Sequence, residues 1–428
     1  LSAKEKLIIS WVGRNVRDDS ELPPSVLVSQ LRDYIDAGWV IEHEKGDQSR
    51  PLLDHLTVKH GLQPFSPLYF TGNTPHYSYA HEWRTILQDP STSPRGLCDK
   101  PLSPPQSHEP LTLLKLERFL KNPSQMFFEQ RLGVHFEDQE RTAEDLEPFE
   151  INHLQRYIMG NDLIKAAVRS QGGETSDLEM AARQLRLTGE LPFRGFGDIA
   201  ITELEANALS IGEQFDALLK TGWLEEPIAP IPLQLAPFES EGDPPLVLED
   251  WLTDLRSNAQ DPSRLARIDF RPGAILDKGK PKRHSLLGLW IRHLAASATG
   301  CSLTSYLIAA DVTLRLDPLS ESEARPWLEA IIMAWRAGLT HPLPLALKTS
   351  LAWLASKPEA REDEAIKTYD GDGYFVTGEV ETSDFLCRAY PSAEDLLSRT
   401  VEEAGFSEWT ERLYQPLHDA AFVPEESL

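Results

Sequence analysis

The stretch Leu111–Val134, L-T-L-L-K-L-E-R-F-L-K-N-P-S-Q-M-F-F-E-Q-R-L-G-V, does most to limit what this chain can fold into. Leu113, Leu116, Phe119 and Leu120 recur at helical spacing, so a first helix has one apolar face. Pro123 offers no backbone N–H and pushes Asn122 out of the helical region, which ends that helix. The same pair starts another. Asn122 suits an N-cap, Pro123 the first helical position, and Gln125 is placed to reach back as in a capping box. Phe127, Phe128 and Leu132 give the second helix a buried face, and Gly133 a left-handed stop. On physics alone this is a helical corner in a large core.

The 428 residues are enough for two or three domains. No apolar run reaches the ~18 residues of a membrane span, and no signal peptide is expected. Cys98, Cys301 and Cys387 are odd in number and far apart, which fits a reducing cytoplasm and cannot supply a four-thiolate cluster. A net charge of −25 argues against indiscriminate duplex binding, so any nucleic-acid contact needs a local basic patch.

The chain opens at Leu1 without an initiator methionine and runs into Leu7–Val12, an apolar run of buried-strand type. So abrupt a start suggests a piece cut from something longer. Arg14 follows, then an acidic turn at Asp18-Asp19. An amphipathic helix comes next, with Val28, Leu31, Tyr34 and Ile35 inward and Gly38 at its end. No G-x-x-x-x-G-K-[ST] cradle exists, so Arg14 reads as a structural arginine and no nucleotide is expected. His55 and His60 have no third ligand at sensible spacing and read as hydrogen-bonded loop histidines. Residues 89–110 hold Pro90, Pro94, Pro101, Pro104, Pro105 and Pro110 among serines, an extended linker and a domain boundary.

An acidic connection, Glu137 to Glu147, leads to a helix around Leu154–Val168, where His153 and Tyr157 share a face. A second runs from about Thr202 to Leu219. Val247–Leu255 and Ala266–Arg271 read as strands, Leu286–Leu294 and Trp327–Ala337 as helices, and residues 372–391 as a strand pair. From Arg264 to Arg292 lie eight basic residues against Asp269 and Asp277, the one basic island in an acidic chain. Its centre, Lys278-Gly-Lys-Pro-Lys-Arg-His284, reads as an exposed loop. It is either a solvated turn or a phosphate contact made by Lys278, Lys280, Lys282 and Arg283.

Four stretches resemble one family. They are the leucine-rich helix with N-P-x-x-x-F-F-x-x-R-L-G, the run H-x-L-Q-P-F-S-x-x-Y-F from His60, Thr188–Gly197, and Gly338 with Pro342-Leu-Pro344. Together they are similar to the RecC family, the gamma subunits of exodeoxyribonuclease V. The resemblance implies an α/β chain. A remnant of a superfamily 1 helicase-like domain (1–88) would precede the linker, and a PD-(D/E)XK nuclease-like domain (111–428), a mixed central sheet flanked by helices, would follow it. It also implies partners, RecB-like and RecD-like subunits and forked or single-stranded DNA, in break repair that includes Chi recognition. By the fold's spacing, the metal-binding aspartate position falls on Thr253, with Asp254 on the opposite face. The Asp/Glu-x-Lys pair falls on Asp269 and Arg271. Arginine is a poor replacement for the lysine, so the site reads as decayed, with Arg271 paired to Asp269 where the ion once sat. A one-residue bulge is what would bring Asp254 forward. Two alternatives stay open: a metal-dependent nuclease using Asp254, Asp269 and Lys278, and a protein scaffold that touches no DNA.

Overall fold

In the computed structural model, residues 4–15, 20–41, 52–61, 63, 65–72, 76–80, 101–105, 109–136, 149–169, 176–224, 226–238, 246–373 and 376–425 are described. The acidic turn at Asp18-Asp19, the connection Glu137–Glu147 and most of the 89–110 linker lie outside them. Contacts divide the chain into two compact units, residues 1–95 and 96–428.

In the first unit, helix α1 (Val26–Gly38) forms where the periodicity places it, but none of its residues is buried. A short turn of helix, α2 (Leu52–Leu56), follows. The strand expected over Leu7–Val12 is absent among the described residues, and Ile8 and Val12 lie exposed. An apolar run becomes a strand only where a neighbour accepts its backbone hydrogen bonds. Arg14 instead makes a single bridge with Glu21, and their side chains form an ion pair at 3.7 Å. His60 lies 3.4 Å from the Tyr69 hydroxyl.

The helical corner opens the second unit's core. Thr112 accepts from the Lys115 amide and starts α3 (Leu113–Lys121), whose Leu113, Leu116, Phe119 and Leu120 are all buried. Asn122 accepts from the Gln125 amide at 3.1 Å and starts α4 (Pro123–Phe127). The capping box is half made, because the Gln125 side chain donates to Glu129 instead. A wide turn over Phe128–Leu132 ends at Gly133 with φ +62°, leaving Leu132 partly exposed. The corner is tied to a strand far along the chain: Leu111 exchanges backbone hydrogen bonds with Val247 and Glu249, and the Asp250 carboxylate accepts from the Leu113 amide.

Helices α5 (His153–Arg169), α6 (Ser176–Leu187) and α7 (Gly195–Leu219) form one layer. Next comes an antiparallel pair, β1 (Ile231–Phe238) with β2 (Leu246–Leu252). The central sheet is mixed. Its members are β3 (Leu255–Ser257), β4 (Leu265–Arg271), β7 (Leu303–Ala309), β8 (Thr313–Leu316) and β9 (Val423–Pro424), in that order across the sheet. A small hairpin, β5 (Leu276–Asp277) with β6 (Lys280–Pro281), and helix α8 (Leu287–Ala298) connect β4 to its parallel neighbour β7. Strand alternation then splits the core in two. Ala266, Ile268, Tyr306 and Ile308 pack on α5–α7. Leu265, Leu303 and Leu307 face the other way, toward α8, α3 and α9 (Glu321–Gly338). Gly338 lets the corner approach, since a Cβ there would meet Phe119 and Met126 at about 3 Å.

The rest is helical: α10 (Leu347–Ala355), α11 (Arg361–Asp370), α12 (Asp384–Ala389), α13 (Ala393–Ser398) and α14 (Phe406–Asp419). This corrects the strand pair expected over 372–391. Ser383 accepts from the Leu386 amide and begins α12 where a strand was anticipated.

Candidate functional site

Two further departures set the geometry of the site. The stretch 247–255 is not one strand, because β2 and β3 belong to different sheets and Thr253-Asp254 lies between them. Asp254 has φ +58°, a left-handed conformation that an aspartate tolerates better than most residues. That turn brings Asp254 round to the face where continuous alternation would not have put it. On β4, Arg267, Asp269 and Arg271 alternate onto the face opposite Ala266, Ile268 and Phe270.

Arg267 holds the cluster together. Its Nη2 lies 2.8 Å from Asp269 Oδ1 and its Nε 3.3 Å from Oδ2, a two-pronged pair. Its Nη1 donates to the Thr253 carbonyl at 2.7 Å and lies 3.9 Å from Asp254 Oδ2. The Thr253 hydroxyl donates to the same Asp254 oxygen at 3.0 Å. Arg271 does not make the expected pair with Asp269; its Nη1 donates to the Ser285 carbonyl at 2.6 Å. Both carboxylates therefore converge, but on a fixed guanidinium. A divalent ion needs free oxygen ligands around it, and here a permanent cation fills that space, so these residues do not fit a metal. Sequence reasoning missed Arg267, although it stands two residues before Asp269 on the same strand face.

The basic island divides by residue type. Arg264 lies over the Trp223 ring, Arg292 pairs with Glu117 at 3.3 Å, and Arg267 and Arg271 are engaged as above. Arg283 also turns inward: its Nη1 donates to the Ala420 carbonyl at 2.6 Å and the guanidinium lies 5.0 Å from the Phe422 ring centre. Burial pulls its pKa down, opposed by the charge of Asp419.

The lysines behave differently. Lys278 and Gly279 both have positive φ, giving the two-residue turn that suits a twisted hairpin. The hairpin's root is pinned where the Asp311 carboxylate accepts from the Ile275 and Leu276 amides, at 2.9 and 2.8 Å. Lys278 and Lys280 are exposed and Lys282 half-buried, and no hydrogen bond or ion pair holds their side chains among the described residues.

A sequence profile described as the RecC C-terminal domain matches residues 108–358, more than half of the chain. The chain is 29% identical over 372 residues to the RecBCD enzyme subunit RecC of Escherichia coli (strain K12), covering 85% of this chain and 30% of that protein. It is 32% identical over 211 residues to RecBCD enzyme subunit RecC of Haemophilus influenzae, covering 49% of this chain and 17% of that protein. With RecBCD enzyme subunit RecC of Mycobacterium tuberculosis (strain ATCC 25618 / H37Rv) the identity is 22% over 380 residues, covering 84% and 30%. The chain thus spans less than a third of the length of these three relatives.

Proposed function

The chain belongs to the RecC C-terminal domain family, and from that premise we propose that it is a non-catalytic part of a RecC subunit of exodeoxyribonuclease V. In this reading residues 1–88 are the remnant of a helicase-like domain, 89–110 a linker, and 111–428 an inactive nuclease-like domain. It docks RecB-like and RecD-like subunits in the cytoplasm, helps split the duplex and guides a strand during break repair, binding no nucleotide or metal of its own.

The observation that carries the non-catalytic reading is the Arg267 clamp. Metal-dependent phosphodiester hydrolysis needs an ion to orient the attacking water and to stabilise charge on the phosphate. Arg267 offers a fixed positive charge, no water to activate and no open coordination position, while Arg271 stays charged and cannot act as a base. What remains for phosphates is the neighbouring hairpin, where the side chains of Lys278, Lys280 and Lys282 hold no partner among the described residues.

The purified chain is expected to leave linear and forked DNA intact with Mg²⁺ or Mn²⁺. Metal-dependent degradation that disappears in Asp269→Ala would overturn this reading.

A further inference from the structure

We propose that Lys282, His284 and Lys348, with Lys278 and Lys280 beyond them, form a phosphate-binding cleft for a DNA strand between the β5–β6 hairpin and the start of α10. The proposal rests on the reading above that the chain handles DNA, and it names where.

Helix α10 packs against the turn Arg283–Leu286. That contact brings Lys348, far along the chain, toward the hairpin. His284 lies half-buried there and is held below the usual histidine range, first by burial and then by the charges of Lys348, Arg271 and Lys282. No hydrogen bond or ion pair holds the side chains of Lys278, Lys280, Lys282, His284 or Lys348 among the described residues. Of the acids around them, Glu379, Asp311 and Asp419 are already engaged, which leaves Asp277 alone against five basic side chains. Glu379 accepts from the Lys348 and Thr349 amides at 3.0 and 2.7 Å, so the helix end itself is filled. Asp311 pins the hairpin root, and Asp419 accepts from Gln415 and lies 2.9 Å from His418. Asp277 sits across the hairpin from Lys280 in the backbone register.

Like charges that outnumber their internal counterions raise the free energy of the fold unless an outside anion relieves them. Lys278 sits in the hairpin turn, and Lys280 and Lys282 follow at alternate positions along β6 and its exit, so the charges are strung in a row along the chain rather than gathered in a cage. A row matches a polymer of phosphates better than one free phosphate.

The test is fluorescence anisotropy of the full 428-residue chain with a labelled single strand and a labelled fork, across salt and pH. Lys348→Ala is expected to flatten the salt dependence by about 0.7 in log–log slope and to weaken binding about threefold. A seated phosphate favours protonated His284, so affinity rises as pH falls from 7.5 to 6, and His284→Gln removes that rise. If Lys278→Ala/Lys280→Ala/Lys282→Ala weakens binding while Lys348→Ala and His284→Gln match the parent, the cleft is overturned and DNA handling by the hairpin stands. Parent binding unaffected by any of these variants, or absent at low salt, overturns the cleft and the hairpin contact together.

Discussion

On β4, Arg267 meets Asp269, Asp254 and the Thr253 carbonyl, whereas the hairpin that follows holds Lys278, Lys280 and Lys282 apart from any ion pair among the described residues. The residue types explain the contrast. A guanidinium is planar, weakly hydrated and forked, so it serves internal partners. An ammonium is compact and strongly hydrated, so it stays at the surface until a stronger anion arrives. Within this one basic island, the arginines hold internal partners, and among the described residues the lysine side chains hold none.

The sharpest way to break that comparison is Arg267→Ala. The Arg267 side chain is 12% exposed and Asp269 24%, so removing the cation leaves a largely buried carboxylate unpaired. A loss of about 3 kcal/mol is expected in urea unfolding. Adding Asp269→Asn should restore part of it. A loss under about 1 kcal/mol would place the cluster among ordinary surface pairs.

A second buried polar group on the same side of the sheet sharpens the point through pH. His293 on α8 lies 2.9 Å from the Ser305 hydroxyl of β7 and is pushed down to about 4 by burial, partly opposed by Asp317. Its folded pKa lies below its unfolded value near 6.5. The stability tied to the neutral ring is therefore intact above pH 6.5, falls as the unfolded state takes up a proton, and is fully lost below pH 4. The loss across that window is roughly 3 kcal/mol. His293→Gln should remove this part of the pH dependence, read as the difference between the two unfolding curves at pH 7 and pH 4.5. Parallel curves would mean that water reaches the ring.

How far the sequence foretold these features depends on how local their causes are. The corner is written in neighbouring residues, since Thr112, Asn122, Pro123 and Gly133 act within a turn of where they stand. The Asp254 turn is not, because a single left-handed aspartate leaves the apolar alternation around it looking continuous. The apolar pattern of Leu7–Val12 was real, but strand formation needs a partner that periodicity cannot name. For 372–391 the pattern reads as a strand pair, yet the cap at Ser383 decides for helix. At the site, the spacing identifies Asp269 but puts Asp254 on the far face, and it assigns the pairing partner to Arg271 where the structure has Arg267. Arg271 and Arg267 share a strand face, and only the position of the Ser285 carbonyl settles which one is free to pair. Lys348 left no trace in the basic island, being brought close by helix packing alone.

The smallest expected effect tests the other half of the comparison. Lys278→Ala with Lys280→Ala removes two exposed ammonium groups that touch no acid among the described residues, so no contact is lost on folding. In a chain of net charge −25, deleting two cations adds slightly to global repulsion, which salt screens. The two terms together keep the stability change within about 0.5 kcal/mol. Arg283→Ala, a few residues on, is the matched control. It removes the donor to the Ala420 carbonyl at the end of α14 and the stacking on Phe422, so about 1–2 kcal/mol should go. Equal urea midpoints for the two variants would dissolve the distinction between structural arginines and available lysines. A clear drop in the arginine variant alone would show that neighbours of equal charge do different work because only one of them has something inside the protein to hold.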